Sequence, residues 1–297
     1  MRIALVQMQS ESKTTAGNVE KAVGFIDAAA KDDPDLIVLP EFFNTGYIFV
    51  YRDFRNLERA ERDDGPTLTV IKEKARQHRT HILATIYEEQ TPGLYYDTAI
   101  YVDPQGEILG KFRKIHPPAI RSLEKIHYRY GSKFPVYQVG EFRVGTVICY
   151  DLIFPESMRL STLHGAELIV APFCSPAYSR SPNVTNRPWE VGEDSVDVEF
   201  NVATFNSMLV TRAKENVVYL AFCNHVGEEM DTVTTDGSTI IGPSGRMLAN
   251  AGDTEGVICA DLDLEELRRE RVDNPFLRDR RPELYGDLAA DMEDLHW

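Results

Sequence analysis

RIALVQMQSESKTTAGNVEKAVGFIDAAAKDDPDLIVLPE, residues 2–41, decides the fold class. RIALVQM at 2–8 is nearly all apolar and short, the mark of a strand buried on both faces. Between 16 and 31 the apolar residues Val19, Ala22, Val23, Ile26, Ala29 and Ala30 step by three and four, which lines them along one face of a helix. DLIVLP at 35–40 is a second buried strand, stopped by its proline. The order strand–helix–strand then recurs. It predicts a helix over 66–77, strands over 80–87 (THILATIY) and 96–103, and a turn at Pro104-Gln105-Gly106 into ILGKFRKIH. A strand over 142–148 (FRVGTVI) comes next, then a helix over 155–164, a strand over 167–172, a helix over 198–214 with Val198, Val202, Phe205 and Leu209 on one face, and a strand over 217–224. GPSG at 242–245 marks a turn, and GVICADLD leads into a short acidic helix. Such alternation argues for one layered α/β domain over 1–297. Residues 175–200 are rich in Ser, Pro, Asn and acids without periodicity, and read as a pocket wall, a lid or a subunit contact.

Composition narrows the function. Hydrophobic content of 43% and charged content of 27% are those of a globular chain. A net charge of −15 repels phosphate backbones and anionic membranes, so nucleic acid and membrane surfaces are excluded as general partners. Arg278, Arg280 and Arg281 read as surface ion-pair partners. The N-terminus has no long apolar core before a small-residue cleavage site, and no apolar run reaches membrane-spanning length, which predicts a cytoplasmic protein. Cys149, Cys174, Cys223 and Cys259 are widely spaced and read as free thiols. The seven histidines form no HxH or HExxH pattern, so neither a metal nor another cofactor is expected.

Three reactive residues stand at the ends of apolar strands: Glu41 after LIVLP, Lys114 in GKFRKIH and Cys149 after VGTVI. Open α/β sheets bind ligands at strand ends. Taken singly, each has a plainer reading: a core cysteine, a helix-start acid and the solvent-facing lysine of an alternating strand. Together they suit covalent catalysis. A thiol needs a base to become a nucleophile, a buried carboxylate serves as that base, and an ammonium stabilises the oxyanion that attack creates.

LPEFFNTGY (39–47), GKFRKIH (110–116) and VICYDLIFPES (147–157) closely resemble the three signature segments of the nitrilase, or carbon–nitrogen hydrolase, superfamily. The likeness continues through GAELIVAP, TRAKENVVYLAFCN and GSTIIGPSGRML, in order, across nearly the whole chain. The resemblance implies an α-β-β-α sandwich that pairs into a four-layered homodimer or a higher homo-oligomer, with a core over about 1–270 and a tail over 271–297 at the dimer interface. It implies Cys149 as nucleophile, Glu41 as general base, Lys114 as electrostatic stabiliser, the Tyr150 N–H as an oxyanion donor and, through SLEKIHYRYG (122–131), Glu124 as the second carboxylate. Tyr47, Phe173 and Cys174 are candidates for lining the pocket, with core packing as the alternative. His116 is a candidate to hydrogen-bond Glu41 or Lys114, with a packed strand histidine as the equal alternative, and Arg212 and Glu215 read as a structural ion pair.

Cys-Tyr-Asp at 149–151, where nitrilases usually read Cys-Trp-Glu, favours a small amide or ureido substrate over a nitrile. The segment NPFLRDRRPELYGDL (274–288) resembles the end of N-carbamoylputrescine amidases and related ureido-hydrolases. D-amino-acid carbamoylases carry two arginines where this chain has Leu152 and Ile153, so a carboxylate clamp is missing there. The function expected is release of ammonia from a small amide or N-carbamoyl amine through a thioester. Nitrile hydrolysis is the alternative. A catalytically silent relative would be expected to have lost a member of the triad.

Overall fold

A computed structural model describes residues 1–10, 14–119, 122–174, 178–179, 198–229, 232–234 and 237–290. In chain order the strands are β1 (Arg2–Gln7), β2 (Leu36–Val38), β3 (His81–Thr91), β4 (Leu94–Val102), β5 (Ile108–Arg113), β6 (Val136–Val139), β7 (Phe142–Thr146), β8 (Leu168–Pro172), β9 (Tyr178–Ser179), β10 (Tyr219–Cys223), β11 (Gly227–Glu229), β12 (Thr232–Thr234), β13 (Thr239–Ile241), β14 (Met247–Asn250) and β15 (Gly256–Asp261). The helices are α1 (Thr15–Ala29), α2 (Pro66–His78), α3 (Glu124–His127), α4 (Pro155–Leu163), α5 (Val198–Asn216) and α6 (Leu264–Asp273). The expected elements are present within a few residues. The segment 175–200, read as a wall, lid or contact, lies almost wholly outside the described residues.

Two six-stranded sheets hold the chain, in the orders β15-β1-β2-β3-β4-β5 and β14-β13-β10-β8-β7-β6. Each has three parallel strands at its centre, β1-β2-β3 in one and β7-β8-β10 in the other, with antiparallel strands outside. The apolar runs follow from this layering. In β1, Ile3 and Leu5 point at the second sheet, where they share a core with Phe142, Val144, Leu168 and Phe222. Ala4 and Val6 point the other way, onto Val19, Ala22 and Ile26 of α1 and Ile71 of α2. On the far sheet, Met158 of α4 and Leu209 and Ala213 of α5 join the core. The result is the α-β-β-α sandwich.

Helix starts follow local chemistry. Thr14 caps α1 by accepting the Gly17 N–H, and Pro66 and Pro155 open α2 and α4, where a missing N–H costs nothing. Among the described residues no helix is long and apolar enough to cross a membrane. All four cysteines are free thiols. Arg278 and Arg281 form the expected surface ion pairs, with Asp279 and Glu283, whereas Arg280 lies over the Tyr285 ring.

A polar side-chain pair lies in the apolar interface between the sheets. Tyr101 on β4 lies with its hydroxyl 2.6 Å from Thr146 Oγ1 on β7, and both are buried. Removing one partner strands the other in an apolar layer. Tyr101→Phe is expected to lower stability by about 1–2 kcal/mol, read as a lower midpoint in urea with an unchanged slope.

Candidate functional site

The parallel strands deliver the site to one edge. Glu41 stands three residues beyond β2, Cys149 three beyond β7, Cys174 two beyond β8 and His225 two beyond β10. β5 is antiparallel to β4, which is antiparallel to β3, so β5 runs with the parallel strands and Lys114, just after it, reaches the same edge. The Lys114 backbone is fixed there by the Asp97 carbonyl and the Gly131 N–H.

Lys114 is the hub. Its Nζ lies 2.7 Å from Glu41 Oε1, 2.8 Å from Glu124 Oε2 and 3.4 Å from Asp97 Oδ2, and all four side chains are 0% exposed. Burial alone lowers the lysine's pKa. The neighbouring acids outweigh it, Cys149 in its thiolate form first and then Glu124, Glu41 and Asp97, and hold the group well above the ordinary lysine value. Asp97 is pushed well above the ordinary carboxylate range by burial and then by the charge of Glu41. With both ionised, Glu41 Oε2 and the two Asp97 oxygens have no donor among the described residues. A proton held on Asp97 by its raised pKa makes that carboxyl a donor towards Glu41. Sequence reading missed Asp97. Its only local signal is a charged residue inside the otherwise uncharged strand LYYDTAIYV.

Glu124 opens α3, and its carboxylate accepts from three donors. The Tyr47 hydroxyl approaches Oε1 at 2.6 Å, while Tyr128 and Lys114 bond Oε2. Burial, the largest influence, raises its pKa; Lys114 pulls it back. Tyr47 and Tyr128 are themselves raised well above the usual phenol value by burial and by Glu124, so both remain donors. Tyr47 is therefore core by packing and part of the polar cluster by its hydroxyl, which also lies 2.7 Å from Ser122 Oγ.

Cys149 sits on a sharp turn. Its φ is 48°, in the left-handed region a non-glycine residue avoids, and the 3₁₀ helix Cys149–Ile153 begins there. Backbone strain of this kind costs about 1–3 kcal/mol and persists only where the surroundings impose it. Two residues impose it here. The buried Asp151 carboxylate accepts from the Ile148, Ile115 and His116 N–H groups and from His116 Nδ1, tying the cysteine turn to the lysine loop. Arg212 of α5 reaches the carbonyls of Leu152 and Ile153 at 3.1 and 2.8 Å while pairing with Glu215 at 3.0 Å. Cys149 is buried, with the residue 8% exposed. Burial raises its pKa well above the ordinary value of 9.0, Glu41 raises it further, and Lys114 and a hydrogen bond with the Cys174 backbone oppose the rise.

The other candidates divide. His116 bonds neither Glu41 nor Lys114. It bonds Asp151 at 2.8 Å and stacks on Phe154 with ring centroids 4.0 Å apart, because the chain turns away from the lysine directly after it. Phe173 is a core residue, packed on Phe205 and Phe222. The Tyr150 ring is 39% exposed and meets Phe154 edge-on, leaving only its backbone near the thiol. Cys174 is buried beside Cys149 and gathers with His225 and Glu229. Neither of those two was singled out from the sequence, where nothing local distinguishes them.

A family model described as carbon–nitrogen hydrolase matches residues 2–271. A nitrilase of Pyrococcus abyssi is 32% identical over 96% of this chain and 99% of that protein. An omega-amidase of Homo sapiens is 30% identical over 96% of each chain. A carbon–nitrogen hydrolase structure from Helicobacter pylori G27 superposes with a TM-score of 0.87 at 24% identity, covering 98% of both chains, a likeness of fold.

A thiol raised above 9.0 is protonated at neutral pH, and its thiolate fraction grows tenfold per pH unit until the raised pKa is passed. Alkylation of Cys149 by iodoacetamide, followed by peptide mass spectrometry, should therefore still be accelerating at pH 9. A rate already level at pH 7 would contradict this environment.

Proposed function

The chain belongs to the carbon–nitrogen hydrolase family and is a hydrolase of carbon–nitrogen bonds other than peptide bonds, and on that premise we propose that it opens a small linear amide through a thioester on Cys149. The observation that carries this reading is the buried Lys114 ammonium held between Glu41 and Glu124, with Cys149 in their field.

Each role follows from what the group has to do. The resting thiol is neutral, so attack needs a base, and Glu41 takes the Sγ proton as sulfur bonds to the carbonyl carbon. The carbonyl π pair moves onto oxygen. Lys114 and the Tyr150 N–H stabilise that oxyanion; first-turn N–H groups of a helix have no acceptor within it. Glu41 returns its proton to the nitrogen as the C–N bond breaks and ammonia leaves. Water then loses a proton to Glu41 and adds to the thioester carbonyl, and collapse expels the Cys149 thiolate, which recovers the proton as the acid departs. Glu124, held by Tyr47, Tyr128 and Lys114, orients Lys114 and the water.

For the substrate, an amide has the support of the omega-amidase relative. A ureido group is the second reading, supported by the resemblance of residues 274–288 to ureido-hydrolases. The buried Leu152 and the apolar Ile153 supply no clamp for a carboxylate at their positions. We also propose a homodimer, since symmetric dimers are the commonest assembly and Ile153, Leu160 and Leu163 are exposed on one side of the sandwich. Light scattering should give twice the chain mass of 33.6 kDa, or a multiple of that, and a monomer mass at micromolar concentration would rule it out.

Two kinetic outcomes test the mechanism. Cys149→Ala should retain the fold and lose at least about 10⁴-fold in kcat; a variant with a tenth of the activity would remove Cys149 from the reaction. Among substrates sharing one side group, kcat/KM should be highest for the amide or the ureide. The nitrile should fall about a hundredfold lower, a difference of roughly 2.7 kcal/mol in barrier. A superior nitrile would overturn the substrate assignment.

A further inference from the structure

Behind the reacting cysteine lies a second group of buried side chains that the mechanism leaves unused. Cys174, His225 and Glu229 offer a sulfur, a ring nitrogen and a carboxylate oxygen that all lie within 4.8 Å of one another. Cys174 and His225 follow the paired strands β8 and β10, and Glu229 closes β11 of a separate three-stranded sheet. We propose that these three residues form a site for one thiophilic divalent cation of the Zn²⁺ kind.

Three observations support it. The first is the histidine tautomer. His225 Nε2 lies 2.5 Å from the Glu41 carbonyl oxygen, which only accepts, so the proton is assigned to Nε2. Nδ1 then carries a bare lone pair. It has no hydrogen-bond partner among the described residues, and it lies 3.5 Å from Glu229 Oε2. A metal-binding imidazole characteristically donates its other N–H to a carbonyl or carboxylate in this way.

The second observation is the spacing. Around a tetrahedral zinc with bonds of about 2.0–2.3 Å, ligand atoms stand roughly 3.3–3.8 Å apart. The Nδ1–Oε2 separation already falls in that range. The sulfur, nitrogen and oxygen set suits zinc and excludes calcium and magnesium, which take oxygen ligands. Three protein ligands leave a fourth position for water or a small anion.

The third is the cradle around the carboxylate. Gly46 adopts φ +69°, and a Cβ on it would collide with Glu229 Oε1. The glycine is thus what allows the carboxylate to lie against this strand end. Occupancy bears on the reacting pair, because His225 holds the Glu41 carbonyl and the Cys174 backbone holds the Cys149 thiol. The site stands whichever carbon–nitrogen bond the enzyme cuts.

The test uses the full-length Cys149→Ala protein, which removes the competing catalytic thiol, stripped with a chelator and dialysed. Calorimetric titration with Zn²⁺ should give one ion per chain. Co²⁺ in its place should give a thiolate-to-metal charge-transfer band in the near ultraviolet. Adding Cys174→Ser or Glu229→Gln, both close in size to the native residue, should weaken Zn²⁺ by at least about a hundredfold. The Cys174→Ser protein should also lose the Co²⁺ band. Circular dichroism identifies which double variants are folded, and either one suffices. Failure of the Cys149→Ala protein to bind Zn²⁺, or undiminished binding in a folded double variant, would overturn the proposal.

Discussion

Lys114 is fully buried, and its ammonium needs negative charge around it to stay in the fold. Stripping an ion of water costs several kcal/mol even after relaxation, and only close, well-bonded counter-charges offset that. Three carboxyls gather for the purpose, Glu41 after β2, Asp97 on β4 and Glu124 at the start of α3. Three acids against one base overcompensate. Burial and the charge of Glu41 push Asp97 towards its protonated form, which reduces the excess of negative charge and makes Asp97 a donor towards Glu41. Taking the lysine away would leave buried carboxylates uncompensated, a defect typically worth about 3–5 kcal/mol. The same group that makes the site expensive to assemble is the one aimed at the developing oxyanion.

The rest of the edge is arranged to keep that cluster in register with sulfur. Asp151 gathers four N–H groups from the cysteine turn and the segment after Lys114, so the nucleophile and the cation cannot drift independently. Arg212 holds the same turn from the α5 side. Tyr47 and Tyr128 reach Glu124 out of an aromatic layer with Phe42, Phe49 and Tyr87, which fixes the carboxylate beside Lys114. Preorganised charge of this kind needs no reorientation when the tetrahedral intermediate forms.

Much of this was legible before any coordinates. Helix periodicity and buried apolar runs located the principal strands and helices, because those patterns are local. Glu41, Lys114 and Cys149 were legible as strand-end residues, and Lys114 proved to be the opposite of the solvent-facing strand lysine its neighbours suggest. What failed was what depends on contact between distant segments. The division of the strands into two sheets of the same pattern leaves no trace in spacing. Asp97 and Tyr128 are ordinary residues until β4 and α3 are brought beside β5. His116 stayed open between a polar contact to Glu41 or Lys114 and a packed ring, because its place near Lys114 in sequence says nothing about which way its ring turns; it packs on Phe154. Asp151 hints in the sequence at a substrate class, whereas in the fold its buried carboxylate holds the nucleophile's turn.

Whether Cys149 carries the acyl group is the point on which the functional account turns, and partition between water and hydroxylamine tests it most directly. Enzyme turning over a small amide in rising hydroxylamine should divert product to the hydroxamate in proportion to the nucleophile, because a thioester is open to both. Peptide mapping after acid quench should find the acyl mass on the peptide containing Cys149. Product that remains the free acid at every hydroxylamine concentration, or an acyl mass found on Cys174 instead, would contradict the account.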